Sequence, residues 1–219
     1  MQEALLALGD ELRWEPTPKR VRALAGGETV LDSTRAVLVW EPGRRVPIYA
    51  VPREDVTGDA SAGRTFDDPD LAGYVAFGAD AFESWLEEDE PVIGHPRDPF
   101  HRVDTRHGSR HVHIERAGQV LADSARPVLL FETGLPIRFY LPREDVDMSL
   151  LTPTDRRTIC PYKGVASYFS VRVDGRDVPD IVWTYEDPLP DAQAIKGLLA
   201  FYDERVDVTL DGEKRERPS

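Results

Sequence analysis

The chain has 219 residues, of which 41% are hydrophobic, and this suffices for one large domain or two modest ones with real cores. Its 40 acidic residues outnumber its 27 basic residues, and the net charge of −13 opposes association with nucleic acid and with anionic membrane surfaces. From the sequence we expect neither a membrane-spanning helix nor a basic signal peptide, and a single cysteine excludes an intramolecular disulfide. We therefore expect a soluble cytoplasmic protein without nucleic-acid or membrane partners.

The N-terminal segment differs in pattern from the rest of the chain. Residues 3–13 have the spacing of an amphipathic helix, and we predict an N-terminal helical arm over residues 1–18. The 18 prolines and 16 glycines of the chain suit many short strands and turns better than a helical bundle. Alternating segments such as residues 112–115, 167–173 and 206–210 have the period of two of β-strands. The dipeptide Asp174-Gly175 predicts a two-residue hairpin turn between two of them.

An internal repeat organises the sequence. Residues 27–43 recur without a gap as residues 118–134. Both copies then reach the same pentapeptide, Pro-Arg-Glu-Asp-Val, at residues 52–56 and 142–146. A match of this length predicts two units of one fold.

The two copies differ after the shared pentapeptide. The second copy contains additional material, at residues 160–168 and 181–190, that the first copy lacks. We predict an abridged first repeat over residues 19–98 and a complete second repeat over residues 99–219. Because a duplicate keeps a scaffold more easily than a site, we expect the additional segment to carry function. The alternative is that the first copy is a truncated packing partner.

One segment of the first repeat is ambiguous. The apolar residues of segment 82–86 have helical spacing, whereas the repeat aligns Ser84 with Val208 in an alternating segment. The repeat favours a strand here.

Several ordered motifs of the second copy resemble a known family. They are residues 131–136, 142–146, 160–164, 183–188 and 197–202. They resemble the signature of the bacterial domain-of-unknown-function family 427, in the tandem form common in actinobacteria. The resemblance covers the second repeat almost completely and the first in abridged form. It implies a mostly β protein made of two tandem β-tent-like units of short antiparallel strands, with little helix.

The resemblance gives no settled activity, and a fold alone does not confer one. Relatives with a β-tent fold often hold zinc through paired Cys-x-x-Cys motifs. This chain has a single cysteine, so a structural zinc is not carried over. We expect no cofactor.

Cys160 and Lys163 lie on a predicted loop bounded by Pro161 and Gly164. A lysine at this spacing favours a nucleophilic thiolate, so both are candidate catalytic residues. Lys163 also suits contact with a ligand carboxylate or phosphate. The alternatives are that Cys160 is a small buried hydrophobe and that Lys163 is a solvated loop residue.

Aromatic residues concentrate in the part missing from the first copy. Small-molecule pockets combine aromatic walls with a few polar groups, although the same residues are equally suited to the core of a small sheet. We predict a ligand site formed by Glu132, Tyr140, Arg143, Tyr162, Lys163, Tyr168, Trp183 and Tyr185. Arg143 belongs to the pentapeptide that occurs in both copies. It therefore also suits a structural role, in an ion pair or a turn.

All five histidines fall between residues 95 and 113, and His111 and His113 share one face of a predicted strand. Such a pair with a nearby acidic residue is an acceptable metal ligand set. We favour the alternative, a polar connector between the repeats, and predict no metal site.

These observations favour a small-molecule binding module with an aromatic pocket in the second repeat. One alternative is an enzyme that uses Cys160 or Lys163 as a nucleophile on a small carbonyl or oxidised substrate. Another is a structural or peptide-binding scaffold. The expected partner is a small molecule, and a homo-oligomer is compatible with the sequence.

Overall fold

The computed structural model describes residues 10–218, which contain nineteen strands and five short 3₁₀ helices. The chain divides into two compact units, Met1–Phe100 and His101–Ser219. The predicted fold class is confirmed, because the chain is mostly β and each unit consists of small antiparallel sheets. Within residues 10–218, no helix combines the length and the apolar character that crossing a membrane requires.

The first unit contains two four-stranded antiparallel sheets. Its strands are β1 (Arg13–Pro16), β2 (Val21–Ala25), β3 (Glu28–Ser33), β4 (Val37–Trp40), β5 (Ile48–Pro52), β6 (Tyr74–Phe77), β7 (Ser84–Glu87) and β8 (Glu90–Pro91). One sheet has the order β1-β4-β5-β6 and the other β3-β2-β7-β8. Short 3₁₀ helices span Arg53–Asp55 and Pro69–Leu71.

The N-terminal segment forms a strand where the structure describes it. Most of the predicted helix over residues 3–13, and half of the predicted arm over residues 1–18, lie outside the described residues. The described Arg13–Pro16 pairs with β4 as an edge strand. Leu12 and Trp14, two residues apart, both pack against the apolar face of that sheet, as the alternation of a strand allows.

Strand β4 shows how the first unit forms its core. All four of its residues are buried, because both faces of the sheet are covered. Val37 and Val39 point into one apolar cluster, and Leu38 and Trp40 point into the other. The run of four apolar residues therefore follows from burial on both sides.

The second unit contains a seven-stranded and a four-stranded antiparallel sheet. Its strands are β9 (Val103–His107), β10 (Val112–Arg116), β11 (Gln119–Ser124), β12 (Val128–Glu132), β13 (Arg138–Leu141), β14 (Leu151–Cys160), β15 (Gly164–Val173), β16 (Arg176–Thr184), β17 (Leu199–Phe201), β18 (Asp207–Leu210) and β19 (Glu213–Lys214). The sheet orders are β14-β15-β16-β17-β13-β12-β9 and β11-β10-β18-β19. Its 3₁₀ helices span Arg143–Asp145, Met148–Leu150 and Pro190–Ile195.

The sheet orders reproduce the sequence repeat. The order β1-β4-β5-β6 corresponds to β9-β12-β13-β17, and β3-β2-β7-β8 corresponds to β11-β10-β18-β19. The second unit then adds β16, β15 and β14 beyond β17, where the first unit ends at β6. The segment that only the second copy possesses therefore extends one sheet by three strands.

Local details repeat as well. The turn after β2 is left-handed at Gly26 and Gly27, with φ of 61° and 77°, and the equivalent turn has Ala117 at 51° and Gly118 at 77°. A register shift follows at the same place in both hairpins. The predicted turn at Asp174-Gly175 joins β15 to β16, as expected.

Segment 84–87 forms the predicted strand, but its register differs from the predicted alignment. Ala23 pairs with Trp85, and the equivalent Ile114 pairs with Val208. Trp85, rather than Ser84, is therefore the counterpart of Val208. A shift of one residue places the opposite set of side chains in the core.

Candidate functional site

The turn Cys160–Gly164 closes the hairpin between β14 and β15. The Lys163 backbone N–H donates to the Cys160 carbonyl at 3.3 Å, and the Leu189 N–H donates to the Lys163 carbonyl at 3.1 Å. Gly164 has φ of 97°, and a Cβ there would lie 3.4 Å from the Asp187 carbonyl oxygen. The left-handed backbone favours glycine at the position. The turn is therefore held against residues 187–189.

The Lys163 ammonium forms a hydrogen-bonded ion pair with the Glu132 carboxylate. The two side chains are only 10% and 6% exposed. His101 Nε2 lies 3.1 Å from the other Glu132 oxygen, and the His101 ring stacks on Tyr162 at 4.2 Å between ring centroids. Glu132 therefore has a basic partner at each oxygen.

Two opposing effects act on the pKa of Glu132. Burial alone would raise it, since a carboxylate loses its hydration inside the protein. The hydrogen bond from His101 and the charge of Lys163 outweigh burial and hold the pKa of Glu132 below its ordinary value. The carboxylate is therefore the favoured form of this buried side chain.

Four of the five predicted aromatic residues lie in one buried cluster on a face of the seven-stranded sheet, whereas Tyr162 stacks on His101. The Trp183 indole donates to the Tyr140 hydroxyl at 2.9 Å, and the Tyr168 hydroxyl lies 2.8 Å from Thr158 Oγ1. The cluster consists of Val128, Leu130, Tyr140, Ala166, Tyr168, Trp183, Tyr185, Ala192, Ile195 and Ala200. These four rings therefore pack in the core of the sheet.

Tyr185 lies in the same buried cluster as Tyr140, Tyr168 and Trp183. Burial raises the pKa of Tyr185, and the neighbouring Tyr140, Cys160, Glu132 and Tyr168 raise it further. No hydrogen-bond partner for this hydroxyl is found among residues 10–218. The second unit thus brings a free hydroxyl, a carboxylate and a thiol into one neighbourhood.

Arg143 is held by contacts within the second unit. Its Nε donates to the Gly197 carbonyl at 3.0 Å, and its Nη2 donates to Glu186 at 2.5 Å. The guanidinium also lies 5.8 Å from the centre of the Phe169 ring. These contacts fit the structural role suggested by the repeated pentapeptide.

The rest of the pentapeptide has a structural role in both units. Ser124 Oγ donates to Asp145 at 2.7 Å, and the Arg126 guanidinium binds the same carboxylate. In the first unit Ser33 Oγ donates to Asp55, also at 2.7 Å. The same network therefore anchors the 3₁₀ helix after β5 and after β13.

The predicted activation of Cys160 by Lys163 does not correspond to a contact. The Lys163 ammonium binds Glu132 instead. Cys160 is partly buried, and no hydrogen bond or ion pair from the described residues reaches its sulfur. The two candidate catalytic residues thus lie near each other without the interaction that would activate the thiol.

His101 belongs to the site, although the sequence indicated only a polar connector. It precedes β9, and the pairing of Val103 with Glu132 brings it beside the carboxylate from 31 residues away. No spacing in the sequence signals this contact, because it depends on which strands become neighbours.

His111 and His113 both contact the Asp123 carboxylate, at 2.8 and 2.7 Å. Within the described part of the chain, no group of three or more histidine, cysteine, aspartate and glutamate side chains is arranged to hold a metal ion. The two histidines are held instead by a carboxylate of the neighbouring strand β11.

Comparison with known proteins places the chain in a family. The model of the family described as Domain of unknown function (DUF427) matches residues 13–68 and 104–212, which is more than half of the chain. The two matched segments fall in the first and second unit, in agreement with the resemblance of the sequence motifs. No curated protein matches the chain. The chain therefore belongs to the family described as Domain of unknown function (DUF427).

Proposed function

We propose that this chain is a small-molecule binding module with a ligand site in the second unit, centred on Glu132, Lys163 and the Tyr185 hydroxyl. The observation that carries the proposal is the buried ion pair between Lys163 and Glu132. Ligand sites combine a small number of placed polar groups with aromatic and apolar surroundings, as this cluster does.

The first unit supplies an internal comparison. Glu41 occupies the position of Glu132 in the repeat, and it contacts Arg64 at 3.1 Å with 47% of the arginine side chain exposed. The fold therefore tolerates a solvated ion pair at this position. Burying two charges is costly, so the second unit carries an arrangement that the scaffold does not require. Buried charged groups of this kind concentrate at functional sites.

The chemistry of the site favours a ligand with oxygen acceptors. The Lys163 ammonium has three N–H donors, and the Tyr185 hydroxyl adds a donor that has no partner among the described residues. Both attract a carboxylate or carbonyl oxygen. The ligand class that we propose is a small carboxylate.

The enzyme alternative has less support. The ion pair with Glu132 has to open before the Lys163 amine can attack a substrate. Cys160 lacks the adjacent base that activates a thiol nucleophile, within the described residues.

The peptide-binding alternative also has less support. Strand β14 is an edge strand of ten residues, which is the kind of edge to which a peptide adds. However, Pro153 lacks an N–H, and the register shifts between Pro153 and Arg157. Proline and irregular pairing are features that protect edge strands from additional strands.

We propose a cytoplasmic location in a bacterial, actinobacterial cell. A single cysteine suits a reducing compartment, and the net charge of −13 disfavours anionic surfaces. Fractionation of cells that contain the tagged protein tests this location, and recovery in the membrane or secreted fraction would contradict it.

A thermal-shift screen with small aromatic and aliphatic carboxylates tests the proposed function. We expect at least one compound to raise the Tm of the parent and not that of Lys163→Met. The matched control is Lys214→Met, because Lys214 pairs with Asp207 on the surface with 65% of its side chain exposed. Tyr185→Phe deletes only the hydroxyl and should weaken the effect. An equal shift in the parent and in Lys163→Met would remove the proposed site.

A further inference from the structure

The Glu132 carboxylate is shared between two basic side chains of different kinds. Its Oε2 atom pairs with the Lys163 ammonium, and its Oε1 atom lies 3.1 Å from His101 Nε2. Histidine side chains gain or lose a proton between about pH 5 and pH 8, whereas a lysine ammonium ordinarily titrates far above this range. The three groups therefore sum to no net charge with a neutral His101 ring, and to one positive charge with a protonated ring.

His101 is the most exposed of the three side chains. Its exposed fraction is 21%, compared with 10% for Lys163 and 6% for Glu132. The ring also stacks on Tyr162, the residue that precedes Lys163 in the turn, and this contact holds the imidazole beside the carboxylate. A proton from solvent can therefore reach His101 while the ion pair stays mostly buried.

The groups around His101 determine which charge responds to pH. On the surrounding elements these are Glu132 of β12, Tyr162 and Lys163 of the turn, Asp191 of the 3₁₀ helix that packs against β9, and the pair of Arg102 with Asp104. Among these residue types, only histidine has an ordinary pKa between about 5 and 8. The pKa of Glu132 lies below its ordinary value, so this carboxylate stays ionised over that range.

The first unit places permanent cations at the equivalent carboxylate. Glu41 lies 3.1 Å from Arg64 and 3.8 Å from Arg44. Arginine keeps its charge at every pH at which proteins are folded. A titratable partner is therefore not required by the shared scaffold, and it occurs in the copy that also carries Lys163.

A carboxylate ligand would bring one further negative charge to Lys163. With a neutral His101 ring, this charge would leave the mostly buried group with an uncompensated negative charge, which is unfavourable. Protonation of the ring removes the excess, because His101, Glu132, Lys163 and the ligand then alternate in sign and sum to zero. Ligand binding and proton uptake therefore favour each other, and such coupling is reciprocal.

We propose that the second unit binds its carboxylate ligand together with one proton, which His101 takes up. The proton comes from solvent and bonds to the unprotonated nitrogen of the neutral imidazole, and no bond of the ligand changes. This inference rests on the carboxylate site proposed above. It makes the affinity of that site increase as the pH falls.

Isothermal titration calorimetry of the full chain at about pH 6.5 and about pH 8 tests the coupling. The probes are acetate, hexanoate and benzoate, which are ionised at both pH values. We expect each probe that binds the parent to bind roughly three- to tenfold more tightly at the lower pH, since uptake of one proton changes affinity by at most about tenfold per pH unit. His101→Gln keeps an N–H donor for Glu132 but cannot gain a charge, so its affinity should be equal at the two pH values.

His113→Gln is the matched control. His113 contacts Asp123 at 2.7 Å in the four-stranded sheet, so this variant should keep the preference for the lower pH. Equal affinity of the parent at both pH values, or a preference that persists in His101→Gln, would overturn this inference and leave the carboxylate site standing. Failure of all three probes to bind at either pH would overturn both.

A second measurement decides the case if His101→Gln does not fold. NMR follows protonation of the His101 ring in the parent as the pH is raised, with and without saturating benzoate. Benzoate should keep the ring protonated to a higher pH. An unchanged titration of His101 in the saturated protein would overturn the inference.

Discussion

Lys163 and Glu132 form a buried ion pair that connects the turn between β14 and β15 to the end of β12. Lys163 belongs to the segment that only the second copy possesses, whereas Glu132 belongs to the scaffold that both copies share. The additional strands are thus connected to the shared part of the sheet by a charged contact.

Glu132→Gln should destabilise the second unit by about 3 kcal/mol. The substitution leaves the Lys163 ammonium buried without a counter-charge, which is the costly outcome of breaking a buried pair. The measurement is urea unfolding, in which each unit can have its own transition. Glu41→Gln is the control, and it should cost less than about 1 kcal/mol because its arginine partner is half exposed.

The double variant Glu132→Gln/Lys163→Met should recover part of that loss, since it removes both charges. A loss for Glu132→Gln no larger than that for Glu41→Gln would show that the ion pair is not buried in solution.

Asp203 should make the stability of the second unit depend on pH. Its side chain is 6% exposed, and burial raises its pKa to about 6, although Arg138 and Arg215 oppose this shift from 3.7 Å. Between the ordinary carboxyl pKa of 3.8 and about 6, the folded state therefore binds more protons than the unfolded state. The contribution of Asp203 to the free energy of unfolding falls as the pH rises through this range.

The comparison of the parent with Asp203→Asn isolates this effect. Their difference in free energy of unfolding should change by roughly 1 kcal/mol per pH unit between about pH 4 and pH 6, and stay constant above. Parallel stability curves for the two proteins would refute the assignment.

Ser124→Ala and Ser33→Ala should have nearly equal effects. Each serine is 2% exposed and donates to the aspartate of the repeated pentapeptide. The loss of one such hydrogen bond costs about 1 kcal/mol. Urea unfolding of both variants measures this loss of stability. Ser149→Ala, at an exposed serine, is the control and should reduce the free energy of unfolding by less. A large effect in one unit alone would indicate that the two networks are not equivalent.

Much of the fold could be predicted from the sequence, because its signals are local. The repeat is visible in the turn residues and in the serine and aspartate of the pentapeptide network, and Asp174-Gly175 indicates its hairpin directly. The strand at Arg13–Pro16 was missed because leucine spacing alone suggested a helix. Leu12 and Trp14 instead pack, partly buried, against a face of the β1-β4-β5-β6 sheet.

The sites were less predictable, because they depend on contacts between distant residues. Glu132 and Lys163 were both among the predicted residues, but their pairing follows from the position of the β14–β15 turn near the end of β12. His101 reaches Glu132 only through the pairing of β9 with β12. Whether Trp85 or Ser84 packs in the core of the first unit depends on the register of β7, and a register error of one residue reverses that.

Cys160 should react with iodoacetamide no faster than the thiol of glutathione. It is partly buried, and no basic group of the described residues contacts its sulfur. Mass spectrometry follows the modification, with Cys160→Ser as the blank. A faster reaction that slows in Lys163→Met would instead favour the enzyme alternative.

The most direct test of the ligand site in the second unit is an NMR titration that follows the indole N–H groups of the four tryptophans. The titrant is the carboxylate that most raises the Tm of the parent. We expect the Trp183 resonance to shift in the parent, this shift to disappear in Lys163→Met, and the Trp85 resonance to stay in place. A Trp183 resonance that stays in place while the protein is saturated, or that shifts equally in Lys163→Met, would contradict it.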